Sequence, residues 1–273
     1  MTVVLEFLTE LFSLGLGYSS LNTARSALSA VLRTEDGRPI GKHPVVIRFL
    51  KGIFELRTPV PRYQQTWDVS ILLSYFKEAE QNSSLPLKDL TVKLCALLLL
   101  SSAQRVQTIH SVKLSCIRAK EDGYVVHIVD KMKTSRPGFH QPPLQFFKYS
   151  DEKLCVVNCL REYISRTADL RSSEQLILCY QYPHGPASRD SISRWMKNLL
   201  KDAGILNFSS HSFRGAASSA MMRSGVSLDE ILRTAGWTKA STFQKFYNKP
   251  VQHNCKKQQV NSILNYYQPK KMD

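Results

Sequence analysis

The chain has 273 residues, and 37 lysines and arginines against 22 aspartates and glutamates give it a formal charge of +15. That length admits one large domain or two unequal ones, the second being expected, and the basic excess favours a polyanionic partner, nucleic acid before an anionic membrane. Six scattered cysteines (Cys95, Cys116, Cys155, Cys159, Cys179, Cys255) include no second pair at zinc-finger spacing beside Cys155 and Cys159, so they read as reduced thiols of a cytosolic or nuclear protein.

The first 20 residues are apolar but lack a basic leader, and Glu6 and Glu10 interrupt them on helical spacing, so an amphipathic helix is expected rather than a signal peptide. Residues 2–14 read as an amphipathic helix with Val4, Leu5, Leu8, Leu11 and Phe12 on its face, ending at Gly15 or Gly17. A second helix, LNTARSALSAVLR, is expected to be capped by Ser19 or Ser20 and to bury Leu21, Ala24, Leu28, Val31 and Leu32. A loop then leads to HPVVIRFLKGIFELR, a third helix with Arg48, Lys51 and Arg57 open to phosphates. Taken alone, these three helices make an ordinary bundle with a solvated basic face. Pro59 and Pro61 in TPVPRYQQTW mark a linker.

From Asp68 a helix is expected through about Glu80, then a turn, then DLTVKLCALLLLSSA, which is apolar on almost every side and so buried. It is too short to cross a bilayer, which needs ~20 residues. Arg105 emerges at its end. LSCIRA, YVVHIVD and PLQFFKY read as three strands, with Asp122 and Gly123 in the first tight turn. Between the last two lies KMKTSRPGFHQPP, a basic tip whose lysines would ordinarily be solvated or guard a sheet edge. Two more amphipathic helices follow, LCVVNCLREYISRT and DSISRWMKNLLKDAG, separated by the short apolar LILCY; Arg189, Arg194 and Lys197 on or beside the second suit a DNA backbone or solvent equally well. The fold class is mainly α with a small antiparallel β-sheet.

The most informative stretch runs from His211 to Tyr247. His211 and Arg214 stand three apart at the head of a small-residue helix, AASSAMM, with Ser209 or Ser210 as its expected cap, an arrangement suited to a phosphate. SLDEILRTAG, with Ser227 and Glu230 as a capping box, ends at Gly236, and Trp237 follows directly. STFQKFYNK then carries Phe243, Phe246 and Tyr247 on one stripe. A tryptophan after a capping glycine, or a tyrosine beside two phenylalanines, is by itself usually core.

Together, however, HxxR, then GW, then a tyrosine ten residues later resembles the C-terminal signature of tyrosine recombinases. The resemblance extends upstream, where SSAQRVQTIHSVKL supplies Arg105 and HIVDKMKTSRPG supplies Lys131 and Lys133. The wording of KTSRPG, ISRWMKNLLKDAGI, HSFRGAASSA and AGWTKASTFQKFY is most similar to the recombinases of DIRS-type retrotransposons, over nearly the whole chain. The resemblance implies a helical core-binding DNA clamp over 1–58, a linker over 59–67 and a tyrosine recombinase catalytic domain over 68–273. Because the sequence starts close to its first helix, part of the clamp is expected to be missing.

It further implies site-specific DNA cleavage and rejoining through a covalent 3′-phosphotyrosine, the partner being double-stranded DNA and the assembly a homotetramer on paired sites in the nucleus. The other reading is a catalytically silent DNA-binding protein derived from such an element. Catalytic roles fall to Arg105, Lys133, His211, Arg214, Trp237 and Tyr247, with Lys131 the second choice for the lysine. No cofactor or metal is expected: no carboxylate pair or His/Cys set reads as a metal site, so arginine must supply the charge that a pentacoordinate phosphate gathers. Tyr247 would attack, His211 take its proton, the lysine protonate the leaving 5′-oxygen, and Trp237 position the phosphate. Two positions depart from the family pattern. Thr108 stands where relatives often carry an acid, and the step from Trp237 to Tyr247 is one residue longer than in many.

Overall fold

The computed structural model describes residues 1–60, 63–131, 135 and 141–252. Lys133, most of the basic tip, Cys255 and the C-terminal LNYY lie outside the described residues. The chain divides into two units, Met1–Tyr63 and Gln64–Asp273, a division inside the segment read as linker.

The first unit holds three helices, α1 (Thr2–Ser13), α2 (Tyr18–Val31) and α3 (Pro44–Leu56). Their shared core is small: Val4, Leu8, Leu21, Ile40, Val46, Leu50 and Ile53. Helix α2 begins earlier than expected, at Tyr18 after the extended Gly17, and Ser19 and Ser20 lie inside it rather than capping it. Val31 and Leu32 are exposed rather than buried, because the helix ends at Val31 and the chain turns extended at Leu32. Helix α3 is capped by the His43 ring, which accepts from Val45 N, and opens with Pro44 in its first turn. Arg48 and Lys51 are exposed on it. Arg57 is engaged, with its guanidinium 4.4 Å from the Phe12 ring centre and a bond to Leu16 O at 3.1 Å.

The second unit is organised around α5 (Leu87–Ser102), whose side chains are buried along most of its length. Against it pack α7 (Val156–Thr167), α8 (Arg189–Asp202) and α9 (Ser212–Arg223), and α4 (Val69–Glu78) packs on α9. Asp68 and Ser188 cap α4 and α8 through their side chains. A one-turn helix absent from the sequence reading, α6 (Val106–His110), follows Arg105; its single turn is too short to leave a periodic signal. The chain closes with α10 (Leu228–Ala235) and α11 (Ala240–Phe246).

The sheet has three antiparallel strands in sequence order, β1 (Ile117–Lys120), β2 (Gly123–Val126) and β3 (Leu144–Phe147). The tight turn is one residue earlier than expected: Lys120 pairs with Gly123, so Glu121 and Asp122 form the loop and Gly123 opens β2. Gly123 is required there by close approach, since a Cβ would stand 1.9 Å from Phe146 O. LSC at the start of the first expected strand forms a 3-10 turn, and His127 bonds Cys116 O outside the ladder. The molecule is therefore mainly helical with a small antiparallel sheet. Cys95, Cys116, Cys155, Cys159 and Cys179 are free thiols, and among the described residues no helix is long and apolar enough to cross a membrane.

Candidate active site

Four separate pieces of the second unit converge on the Arg214 guanidinium. Helix α5 ends at Ala103, which adopts the left-handed conformation (φ 49°) and so turns its carbonyl out of the helix; Arg214 Nη1 donates to it at 3.1 Å. Nη2 donates to Ala235 O, at the end of α10, at 2.8 Å. Trp237 lies 4.2 Å from the guanidinium carbon and Tyr247 5.6 Å, each measured to the ring centre. The two rings pack against each other at a tilt of 41°, with centroids 4.7 Å apart. Cation–π attraction and two charge-assisted bonds thus hold a side chain that is only 3% exposed.

The electrostatics are those of an anion site. Burial pulls Arg214 down to about 10, the charge of Arg105 pulls in the same direction, and Tyr247 opposes both. At neutral pH Arg214 remains a cation, held beside a second one. Arg105 itself is partly exposed at the head of α6, in extended backbone. Two like charges forced together in a desolvated place gain most from an anion bound between them.

Other N–H groups here also lack an acceptor among the described residues. Arg214 Nε, Trp237 Nε1 and Gln141 Nε2 are buried without one. Gln141 packs on Gly236, where an added Cβ would lie 2.6 Å from its Nε2; Gly236 is left-handed (φ 68°), as the helix end requires. It therefore sits directly before Trp237.

Tyr247 falls at the C-terminal end of α11, its N–H bonded to Phe243 O at 2.8 Å. Only Phe243 of the aromatic stripe is core, packed at 5.6 Å from Trp237; Phe246 is exposed, because the helix ends there and turns that side outward. Ser219 of α9 pins the tyrosine, donating to Tyr247 O and accepting from Lys249 N. Beyond it, Thr66 and Val251 form a parallel bridge, with Thr66 N bonded to Pro250 O at 2.8 Å.

His211 stands one turn before Arg214 and is exposed, at the cap position of α9 with no capping bond from its ring. The cap position falls at His211 rather than at Ser209 or Ser210, whose carbonyls accept from Ser212 N and Phe213 N. The first turn is fixed instead by Trp67, whose Nε1 donates to Ser212 Oγ at 2.9 Å and whose ring meets Phe213 edge-on. Lys131 is exposed and lines a cleft of about 450 Å³ with Gln107, His110 and Arg189; no hydrogen bond or ion pair among the described residues joins it to the Arg214 cluster. Thr108 is buried, its hydroxyl 3.4 Å from Gln104 Oε1, and Gln104 Nε2 donates to Thr234 O at 2.8 Å. That chain ties the Arg105 turn to α10.

Sequence reading missed Gln104, Gln141, Ser212 and Ser219. All four act on partners far away in sequence, which no local pattern announces. The serines within AASSA, unusual in a helix interior, were the one available signal.

A helical domain with a three-stranded sheet thus gathers two arginines, a tryptophan and a tyrosine at one point, an arrangement whose charge suits an anion. The comparisons narrow the class. Residues 71–253 match the model of the Phage integrase family, and the chain belongs to that family, the tyrosine recombinases. Its fold is similar to that of XerH site-specific recombinase bound to a palindromic difH substrate (TM-score 0.62, 14% identity, covering 97% of this chain and 71% of that one). It is similar too to the Tn1549 transposon integrase in complex with transposon right end DNA (TM-score 0.61, 11% identity, 96% and 84%). A lambda integrase dimer bound to a COC′ core site gives a TM-score of 0.56 at 17% identity, covering 93% and 67%. No curated protein matches the sequence.

Proposed function

We propose that this chain cuts and rejoins double-stranded DNA at specific sites through a covalent 3′-phosphotyrosine formed on Tyr247. The observation that carries this reading is the placement of the Tyr247 ring 5.6 Å from a buried arginine that already feels the charge of a second. A phosphate diester seated between Arg105 and Arg214 would supply the anion they lack, and their charge would grow in value as the phosphorus becomes pentacoordinate. Tyr247 Oη attacks phosphorus, its proton passing to His211. The bond from phosphorus to the 5′-oxygen breaks, and a lysine of the β2–β3 connection, Lys133 before Lys131, protonates the departing oxygen. Trp237 Nε1, buried without an acceptor, donates to a non-bridging oxygen.

The phosphotyrosine conserves the diester's energy, so attack by a 5′-hydroxyl reverses the step and reseals a strand without ATP. We further propose that residues 1–58 act as the clamp on the duplex, that four copies assemble on paired sites, and that the setting is a nuclear mobile element of the DIRS type. The motif wording supports the last of these, and the similarity to a transposon integrase bound to transposon-end DNA agrees with a mobile-element origin.

The test is a suicide duplex nicked so that cleavage loses the leaving strand, drawn from a pool that includes the element's termini. A covalent protein–DNA adduct on a denaturing gel, absent in Tyr247→Phe, is the expected result. Salt-sensitive binding with no adduct would replace this reading with that of a silent DNA-binding protein.

A further inference from the structure

We propose that the cavity between α4, α5 and α8 binds a small, flat organic anion, with Lys93 as the cation that anchors it. The cavity has a volume of about 480 Å³, within the range of sites for small ligands. Lys93 lines it and is 2% exposed, and its Nζ donates no hydrogen bond among the described residues. A buried ammonium without an acceptor is rare, because desolvation is then uncompensated.

The neighbours that could have satisfied Lys93 are otherwise occupied or uncharged. Asp151, whose charge reaches it, pairs with Lys77 at 3.5 Å. The carbonyls of Lys77 and Ala79 at the end of α4 accept from Lys153 Nζ at 2.9 and 2.6 Å. The Cys159 thiol is pushed up to about 12 by burial and stays neutral. What remains is the Phe76 ring, 5.8 Å from Nζ. Burial lowers the basicity of Lys93, and an anion beside it would restore the charge.

The rest of the lining sets the ligand's shape and charge. Tyr180 and Trp195 pack at a tilt of 40° with centroids 4.9 Å apart and, with Phe76 and Leu199, provide aromatic and apolar walls. At the exposed rim Lys88 and Lys201 are balanced by Asp89 and Asp202, so the rim adds no net attraction for a multiply charged ligand. One negative group on an aromatic body fits this lining. The site involves none of the residues proposed for DNA cleavage and does not depend on that reading.

The test is calorimetric titration of the full chain, without DNA, using 2-naphthoate and its neutral counterpart 2-naphthalenemethanol as probes. Saturable binding of one naphthoate per chain is expected, weakened roughly tenfold to hundredfold in Lys93→Met. The neutral probe should bind wild type and Lys93→Met alike. Ala79→Phe, which narrows the cavity, should weaken both probes and guards against a folding defect in the first variant. Equal naphthoate affinity in wild type and a folded Lys93→Met, or no saturable binding to wild type, would overturn the proposal.

Discussion

Helix α5 leads at its end into the turn that helps hold Arg214 and carries Lys93 in its first half, and the two buried cations are treated in opposite ways. Arg214 has two carbonyls, two aromatic faces and the field of Arg105 around it. Lys93 has one ring and no hydrogen bond among the described residues. Burial lowers both. The guanidinium, planar and five-donor, can be bolted to the fold and still offer N–H groups to a phosphate, whereas a single ammonium without an acceptor is a standing cost. On the two proposals made above, the contrast separates a cation placed for chemistry from one that weakens the fold until something binds it.

The largest effect expected is at the tyrosine beside Arg214. Tyr247→Phe keeps the ring packing on Trp237 and removes the proposed nucleophile, so strand cleavage should fall by ~10⁴-fold or more while DNA affinity in a filter assay stays near wild type. Next comes Arg214→Lys, which cannot span the carbonyls of Ala103 and Ala235 with one planar fork. Single-turnover cleavage should drop by about 10²–10³-fold, and thermal unfolding should show a loss of about 1–3 kcal/mol.

Lys93→Met should move stability the other way, with a gain of about 1–2 kcal/mol by denaturant titration, since a buried charge gives way to a chain of similar volume. The sign with pH follows from the lowered basicity. Below the folded pKa wild type carries the full penalty, and it sheds that penalty as pH rises towards 10.5, the ordinary lysine value. The gain in Lys93→Met should therefore be greatest at acid pH and shrink on going alkaline; a gain that grows with pH would contradict the assignment. A stabilised Arg214→Met would erase the contrast between the two sites.

Trp237→Phe preserves the packing on Arg214 but loses the indole N–H, and should slow cleavage about tenfold with stability unchanged. The smallest effect is expected far from both cations: Arg48→Ala should lower the slope of log affinity against log salt by about 0.9 without altering the cleavage rate of bound DNA.

Much of the frame was legible in the sequence because it depends on local chemistry. The long buried helix, the Ser227 cap and the Gly236 stop follow from residue types at fixed spacings. HxxR, GW and the tyrosine could be picked out because a family resemblance linked them; periodicity alone put Trp237 and Tyr247 in a core. What the sequence could not disclose was set by distant partners. Nothing in SSAQR announces that Ala103 turns left-handed to offer its carbonyl to Arg214, 111 residues on. Ser19 and Ser20 looked like caps, but Gly17 starts α2 before them. Phe246 sat on the right stripe, yet α11 ends too soon to bury it.

The most direct test of the central claim is to map the covalent adduct itself. Digesting the trapped protein–DNA complex with protease and nuclease, then sequencing the nucleotide-bearing peptide by mass spectrometry, should place a 3′-phosphate on Tyr247. A nucleotide on any other residue, Tyr266 or Tyr267 included, would contradict the account.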